Sequence, residues 1–219
     1  MSVLNFCKSF KAQNLFIYVE NQKDVWNKIA KNWSKYRTKI PISVEKFLED
    51  KSGKILDLGC GSGRNCIKLN KNEKYYCVDF SSEMLKEAKK NLKNQDVEFI
   101  LSETNNIPFE NDFFDNCICY ALLHCISEKE NRIKTIKEIY RTLKTGGHAF
   151  ISVWSKKSPR LKNKEKECFI PWTVRENDKT KRYTYVYNLD ELKKEIEEAN
   201  FKIINIWEER NINAIVQKV

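Results

Sequence analysis

Glycine occupies every second position in one short stretch of the sequence, directly after an apolar run. The run Lys54–Leu58 predicts a short buried strand, and Gly59, Gly61 and Gly63 follow it. Glycine is needed at such a turn because the backbone bends sharply and a ligand must lie against it without a Cβ in the way. The stretch therefore predicts a strand and a ligand-binding turn that leads into a helix.

The spacing of the glycines restricts which ligand the turn accepts. A dinucleotide site has the pattern G-x-G-x-x-G, which brings a pyrophosphate to the N-terminus of a helix. Counted from Gly59, the third glycine would fall at Arg64, and counted from Gly61 it would fall at Cys66. The spacing therefore excludes a nicotinamide dinucleotide site.

The sequence on both sides of the turn alternates strand-like and helix-like segments. Strands are predicted at 54–58, 75–78, 97–101, 113–123, 148–154, 201–207 and 214–219, and helices at 22–35, 65–69, 81–92, 130–143 and 189–199. We expect the last two strands to be an antiparallel pair. The alternation indicates an α/β fold: a mostly parallel seven-stranded sheet with an antiparallel last strand and helices on both faces.

The length of 219 residues fits one globular domain. We place this domain at residues 21–219, with residues 1–20 as an N-terminal extension. The segment 155–166 is rich in lysine and almost free of apolar residues, which predicts a mobile loop. We assign residues 155–181 as a whole to a basic insert loop.

Charge and cysteine content indicate the partner and the compartment. The formal charge is +10, from 40 basic and 30 acidic residues, which favours a polyanionic partner such as nucleic acid. No apolar run approaches the length of a membrane span, and the first ten residues lack the apolar stretch of a secretory signal. Eight cysteines without a C-x-x-C pair, and only two histidines, offer few zinc ligands. We expect free thiols, no bound metal, no membrane contact and a cytoplasmic or nuclear location.

The D-x-G-x-G-x-G pattern formed by Asp57 and the three glycines resembles motif I of the class I S-adenosylmethionine-dependent methyltransferases. The resemblance implies a Rossmann-like fold and S-adenosylmethionine as cofactor, with S-adenosylhomocysteine as product. It implies that Asp57 holds the methionine ammonium group. It also implies that Gly59, Gly61 and Gly63 let the backbone close over the ligand.

Acidic residues after the next two predicted strands extend this resemblance. Asp79 stands where the family has a carboxylate that accepts from both ribose hydroxyls. Glu103 stands where the family has a carboxylate that accepts from the adenine amino group. Three further residues complete the cofactor site that the resemblance implies: Phe80, Thr104 and Tyr120.

Segments outside this core resemble the eukaryotic tRNA wobble-uridine carboxymethyl methyltransferases. The similar segments are 25–37, 121–127, 153–154, 170–172 and 182–192. The sequence departs from that family at Cys125, where the family has a second histidine, and at 208–213, where tryptophans are missing. The resemblance implies esterification of the carboxymethyl group of 5-carboxymethyluridine at the wobble position.

A carboxylate substrate needs an anion-binding site rather than a general base, because it is already ionised at neutral pH. The site must hold the anion in line with the methyl group and strip its water. The resemblance assigns this catalytic role to Arg37, His124 and Arg182, with Trp154 or Tyr183 stacking the base. Each has a structural alternative: a solvated charge for Arg37, a packed side chain for His124 and a core residue for Trp154. Two lysines of the insert, Lys156 and Lys157, are expected to contact tRNA phosphates.

The resemblance also implies a protein partner, a small zinc-binding activator subunit that forms a heterodimer with such methyltransferases. In the strand order of the family, Val97–Leu101 is an apolar strand at the edge of the sheet, where a partner can add a strand. Two other functions remain open at this point. The chain could be a small-molecule methyltransferase acting on a lipid or quinone, or a cofactor- or RNA-binding protein without catalytic activity.

Overall fold

The computed structural model describes residues 20–66, 73–175 and 178–219. A seven-stranded sheet forms the centre of the fold. The strands are β1 (Gly53–Leu58), β2 (Glu73–Asp79), β3 (Val97–Leu101), β4 (Phe114–Tyr120), β5 (Leu143–Trp154), β6 (Glu167–Arg175), β7 (Asp178–Tyr185), β8 (Lys202–Glu208) and β9 (Asn211–Gln217). The helices are α1 (Gln22–Tyr36), α2 (Ile42–Leu48), α3 (Ser82–Asn91), α4 (Lys129–Thr142) and α5 (Leu189–Glu197). None of the helices in the described part of the chain is long and apolar enough to cross a membrane.

The strand order β3-β2-β1-β4-β5-β9-β8 confirms the predicted fold class. Strands β1 to β5 pair in parallel, whereas β9 runs antiparallel to both β5 and β8. The strand order reverses between β1 and β4: β2 and β3 are added on one side of β1, and β4 and β5 follow on the other side. In sheets of this kind a crevice opens at that reversal, beyond the carboxyl ends of the strands.

Helices cover both faces of the sheet, and each face has its own apolar core. On one face, Cys117 and Cys119 of β4 pack in a cluster with Ile136 of α4 and Leu192 of α5. On the other face, Ile118 packs in a cluster with residues of α2 and α3. This alternation along β4 is the period of two expected of a strand that is buried on both sides.

Helix α1 lies outside this core and packs on α3 and on the β6–β7 hairpin. Ile29 and Ala30 of α1 are buried with Met84 of α3. The indole Nε1 of Trp172 in β6 donates to Oδ1 of Asn32, at 2.8 Å. These contacts place α1 and the hairpin next to the carboxyl ends of the central strands.

Three predictions for the second half of the chain are wrong. The insert at 155–181 is not a loop throughout, since β6 and β7 pair as an antiparallel hairpin over residues 167–185. Leu161 is fully buried beside Ile170 and Val186, so an apolar contact anchors the segment 155–166 that was predicted to be mobile. The strand predicted to reach residue 123 ends at Tyr120, because Ala121 has a φ of 61° and turns the chain into a short 3-10 helix, Leu123–Cys125.

Two other predictions fall partly or wholly outside the described residues. The extension at residues 1–20 lies outside them except for Glu20. The helix predicted at 65–69 begins as the 3-10 helix Arg64–Cys66, and its remainder lies outside the described residues.

A buried ion pair joins α4 to α5. Nε of Arg132 lies 3.3 Å from Oε1 of Glu195, and the two side chains are 3% and 4% exposed. Arg132 also donates to the carbonyl oxygens of Ile126 and Ser127, and Tyr187 donates to Glu195. The pair therefore fixes the segment between the 3-10 helix and α4.

We expect Glu195→Ala to lower the free energy of unfolding by about 3–5 kcal/mol, because it leaves the Arg132 charge buried without its partner. Denaturant unfolding measures the change, with Glu197→Ala on the exposed side of α5 as control. The double variant Arg132→Met/Glu195→Leu removes both charges and should recover part of the loss. A double variant no more stable than Glu195→Ala would contradict this explanation.

Candidate active site

The glycine-rich turn follows β1, and its three glycines have different surroundings. All have positive φ, at 71°, 55° and 82° for Gly59, Gly61 and Gly63. A Cβ on Gly59 would lie 2.7 Å from Leu122, and one on Gly63 would lie 2.7 Å from Leu92. A Cβ on Gly61 would meet only the indole nitrogen of Trp33, at the ordinary contact distance of 3.7 Å. The turn therefore packs through Gly59 and Gly63 and leaves Gly61 open to a ligand.

A cleft of about 240 Å³ opens at the carboxyl ends of β1, β2 and β4. Seven of the nine residues predicted to bind the cofactor line it: Gly59, Gly61, Asp79, Phe80, Glu103, Thr104 and Tyr120. The other two do not: Gly63 packs against α3, and Asp57 lies behind the turn. The structure thus brings together residues from four separate segments of the sequence.

Asp79 ends β2 at the cleft, and backbone amides hold its carboxylate. Its Oδ2 accepts from the N–H of Gly61 at 2.8 Å, and its Oδ1 accepts from the N–H of Ser81 at 2.9 Å. Burial raises the pKa of Asp79 to about 6, against the lowering effect of these two hydrogen bonds. Each carboxylate oxygen has a second lone pair, so two further donors can be accepted.

Asn65, which the sequence analysis missed, stands between Asp57 and the cleft. Its Nδ2 donates to Oδ1 of Asp57 at 3.0 Å, and its own Oδ1 has no hydrogen-bond partner in the described part of the chain. Burial raises the pKa of Asp57 to about 8. A ligand in the cleft therefore meets the amide of Asn65 rather than the carboxylate. Only the position of Asn65, eight residues after the motif aspartate Asp57, could have identified it from the sequence.

A cluster of thiols lies below the turn, next to Asp57. Sγ of Cys66 lies 3.6 Å from Oδ2 of Asp57 and 3.3 Å from Sγ of Cys77. One ligand atom from each of these three buried residues lies within 4.8 Å of the other two, which is close enough for a metal ion. Asn65 and Cys66 donate hydrogen bonds to the two oxygens of this carboxylate.

A second cavity of about 100 Å³ adjoins the cleft and shares Arg64, Tyr120 and Ala121 with it. Four of the residues predicted to bind the substrate line this cavity: Arg37, His124, Trp154 and Arg182. They come from the end of α1, the 3-10 helix, the end of β5 and β7. Two further residues, Arg64 and Asn211, line the cavity and were not predicted as site residues from the sequence.

Three guanidinium groups face this cavity: those of Arg37, Arg64 and Arg182. None of them forms an ion pair with a carboxylate of the described residues, and Nε of Arg37 and of Arg182 has no partner there. Burial and the charge of Arg64 lower the pKa of Arg37. Burial, together with the charge of Arg37, lowers the pKa of Arg182 to about 10, so all three remain charged at neutral pH.

Tryptophan rings hold the arginines in place. The guanidinium carbon of Arg182 lies 5.6, 5.1, 5.7 and 5.0 Å from the ring centroids of Trp26, Trp33, Trp154 and Trp172, respectively. That of Arg37 lies 4.7 Å from the Trp33 ring. Ring faces attract cations, so these contacts replace part of the hydration that burial removes.

His124 is buried and neutral. Its ring stacks on Trp154, with centroids 4.7 Å apart, and its Nδ1 accepts from the backbone N–H of Trp154 at 3.3 Å. Burial and the charge of Arg182 lower the pKa of His124 to about 3. Because Nδ1 is the acceptor, the ring proton is on Nε2, which is a donor.

Three of the predicted substrate residues lie away from the cavity. Tyr183 is buried, packs edge-on against Phe169 and donates to the carbonyl of Ser127. Lys157 forms an ion pair with Glu208 at 2.8 Å, and Lys156 is exposed. Tyr183 therefore does not stack a base in the cavity, whereas Trp154 lines it.

Residues 56–151 match the family model described as a methyltransferase domain. The tRNA (carboxymethyluridine(34)-5-O)-methyltransferase of Schizosaccharomyces pombe is 27% identical over 206 residues, which cover 82% of this chain and 88% of that protein. The chain spans about a third of the length of the first three curated relatives that it matches, at 29% identity.

Solved structures match the fold. An S-adenosylmethionine-dependent methyltransferase from Methanosarcina mazei has a TM-score of 0.68 at 19% identity, covering 83% of this chain and 99% of that one. A methyltransferase in complex with the Haloferax volcanii Trm112 methyltransferase activator has a TM-score of 0.67 at 17% identity, covering 91% of this chain and 97% of that one. Residues 56–151 thus match a methyltransferase domain, the fold is that of S-adenosylmethionine-dependent methyltransferases of known structure, and the sequence is similar to the tRNA carboxymethyluridine methyltransferases.

Proposed function

We propose that this chain methylates the carboxyl group of 5-carboxymethyluridine at the wobble position of tRNA. The observation that carries the proposal is the cavity beside the cleft, where Arg37, Arg64 and Arg182 face one another. Such a concentration of unpaired positive charge is costly unless an anion enters it. The Schizosaccharomyces pombe relative is named for carboxymethyluridine, and the carboxylate of that nucleoside is the anion that we propose for this cavity.

The residues of the cleft fit S-adenosylmethionine. Bound there, this cofactor supplies an electrophilic methyl group on a sulfonium. Asp79 would accept from its ribose hydroxyls, and Glu103 and Thr104 would lie on the adenine side. Gly61 leaves space for the methionine portion, and the unpartnered Oδ1 of Asn65 would accept from its ammonium group.

The cavity residues orient the acceptor and need no proton transfer. The carboxyl group is ionised at neutral pH, so an oxygen lone pair is available for the methyl group without a general base. Arg37 and Arg182 hold the carboxylate by charge-assisted hydrogen bonds. Arg64 lines both the cavity and the cleft, so it fixes the carboxylate where the two meet.

His124 and Trp154 form the wall on which the base rests. Neutral His124 donates from Nε2, and its pKa of about 3 keeps it in this form across the physiological range. Trp154 presents a ring to the cavity, where a pyrimidine can stack. The same aromatic wall excludes water from the carboxylate, which strengthens its contacts with the arginines.

Exposed lysines near the cavity would contact tRNA phosphates. The segment 156–166 and the β7 strand carry exposed basic residues, and the formal charge of the chain is +10. Lys156 is free to contact phosphate, whereas Lys157 would have to exchange its ion pair with Glu208. An anticodon loop suits this site because its unpaired bases enter a pocket without opening a helix.

A strand edge is available for an activator subunit. In the described sheet β3 pairs only with β2, and Leu101 at its end is 56% exposed. An unpaired apolar edge is a site for strand addition by another chain. We propose that a small zinc-binding activator covers it, as a heterodimer; a solved neighbour forms a complex with an activator.

Cofactor affinity should weaken as the pH falls through 6, because protonated Asp79 cannot accept from both ribose hydroxyls. Calorimetric titration with S-adenosylhomocysteine between pH 5 and 7 measures the dissociation constant, which should rise towards about tenfold per pH unit below 6. Asp79→Asn should bind weakly at every pH and lose the dependence. A wild-type affinity that stays constant from pH 7 to 5 would exclude this role.

Methyl ester formation tests the proposed reaction. The chain, with co-expressed activator, is incubated with S-adenosylmethionine and tRNA that carries 5-carboxymethyluridine, and digested nucleosides are analysed by mass spectrometry. Arg64→Gln should lower kcat/KM about 10- to 150-fold, corresponding to about 1.5–3 kcal/mol for a hydrogen bond to a charged group. Lys93→Gln, which removes one exposed charge just after α3, should have no effect.

Two further substrates separate the alternatives. A tRNA with the neutral 5-carbamoylmethyl group has nearly the same shape but no charge, so it should not be methylated. Methyl transfer to lipid or quinone extracts and to no RNA would instead identify a small-molecule methyltransferase. Cofactor binding without transfer to any of these would indicate a binding protein.

The activator interface is tested by a charge at the β3 edge. Leu101→Lys should reduce co-purification of the activator, whereas Ile204→Lys, on the opposite edge strand β8, should not. Both residues are exposed, so both variants should keep the thermal unfolding temperature. Equal recovery of activator with both variants would place the interface elsewhere.

A further inference from the structure

Helix α1 ends in an exposed aromatic residue beside the cavity of the three arginines. Tyr36 is the last residue of α1, and 70% of it is exposed. The next residue, Arg37, lines the cavity. A large aromatic side chain in this position is not needed for the core, since its ring contributes little buried surface.

The tyrosine ring rests on a fixed aromatic base. Tyr36 contacts Trp172 edge-on, with ring centroids 6.3 Å apart, and Trp172 lies 4.9 Å from Trp33. The indole of Trp172 is held by its hydrogen bond to Asn32. An exposed ring supported in this way loses little conformational freedom when a ligand stacks on it.

Basic residues lie near Tyr36 along the chain. Lys35 and Lys39 are exposed on either side of it along the chain. Arg160, from the segment after β5, is close enough to Arg37 for its charge to contribute to the lowered pKa of that residue. An exposed aromatic among basic residues matches the chemistry of unpaired nucleic acid, in which base faces stack and phosphates attract cations.

We propose that Tyr36 is a stacking platform for the unpaired nucleotide next to the uridine held in the cavity. This inference rests on the proposed function, because it assumes that the cavity receives a nucleotide of an RNA loop. Tyr36 and Arg37 are adjacent in the chain, so a nucleotide adjacent to the one in the cavity lies within reach of the ring. The contact would secure the loop and would not read the base, since every base has a face to stack.

Fluorescent anticodon stem-loops test the contact directly. Two stem-loops carry 2-aminopurine in place of the nucleotide before or after the wobble uridine, because stacking on an aromatic ring quenches this base. We expect one of them to be quenched on binding to the wild-type chain with activator. Tyr36→Phe should keep the quench, and Tyr36→Ala should lose it and raise the dissociation constant roughly 5- to 150-fold.

The outcomes separate this inference from the proposed function. Tyr36→Ala should unfold at the wild-type temperature, because the side chain is exposed, and Ile204→Ala on β8 is the matched control for loss of an exposed apolar group. A quench that persists in Tyr36→Ala, or that is absent with both stem-loops on the wild-type chain, would overturn the platform while ester formation by the wild-type chain continues. Failure of the wild-type chain to methylate any tRNA would instead remove the proposed function.

Discussion

The cavity beside the cofactor cleft depends on keeping arginine side chains charged inside an aromatic wall. Burying a cation costs free energy because water no longer solvates it. Arg182 is only 3% exposed, and four tryptophan rings surround its guanidinium group in place of acidic partners. A carboxylate in the wall would stabilise the free chain further, but it would also compete with an anionic ligand. The aromatic faces hold the charge without neutralising it.

This wall can form only because the fold brings distant segments to one edge of the sheet. Arg64 follows β1, His124 follows β4 and Trp154 ends β5, so three parallel strands deliver side chains to the same crevice. Helix α1 and the hairpin lie over that crevice from either end of the sequence, and they add Arg37 and Arg182. The hydrogen bond between Asn32 and Trp172 ties these two additions to each other. The segments that flank the central fold therefore build a second cavity beside the cleft.

Periodicity and turn chemistry predicted the fold well because they are local properties. Short apolar runs predicted β1 and β3, and the spacing of apolar residues predicted α1. Each of these signals lies within a few residues of the chain. Residues 167–181 were predicted to belong to a loop, because their many charged side chains conceal most of a hairpin. The hairpin packs against α1 through Trp172 and Val174, and that contact is tertiary. Leu161 likewise is a single apolar residue among lysines, and nothing local shows that it is buried.

The same limit applies to the candidate site. Motif spacing singled out Asp79 and Gly61, and both line the cleft because the strand ends determine where they lie. It also assigned Asp57 and Gly63 to the cleft, although the first is covered by Asn65 and the second packs against Leu92. In the sequence, Arg64 indicated only that the third glycine of a dinucleotide-binding pattern is missing. Its orientation into both the cleft and the cavity depends on the positive φ values of the turn before it.

Charge would also decide which species the proposed site retains and which it releases. The arginines would repel a bound sulfonium in the absence of an anion, so cofactor and carboxylate would favour each other's binding. Methyl transfer joins an anion and a cation into a neutral ester and a neutral thioether. Neither product retains the attraction that assembled the complex, and the arginines are again without a counter-charge. A cavity lined with arginines and no acid therefore binds the substrate more strongly than the ester, which favours release after one methylation.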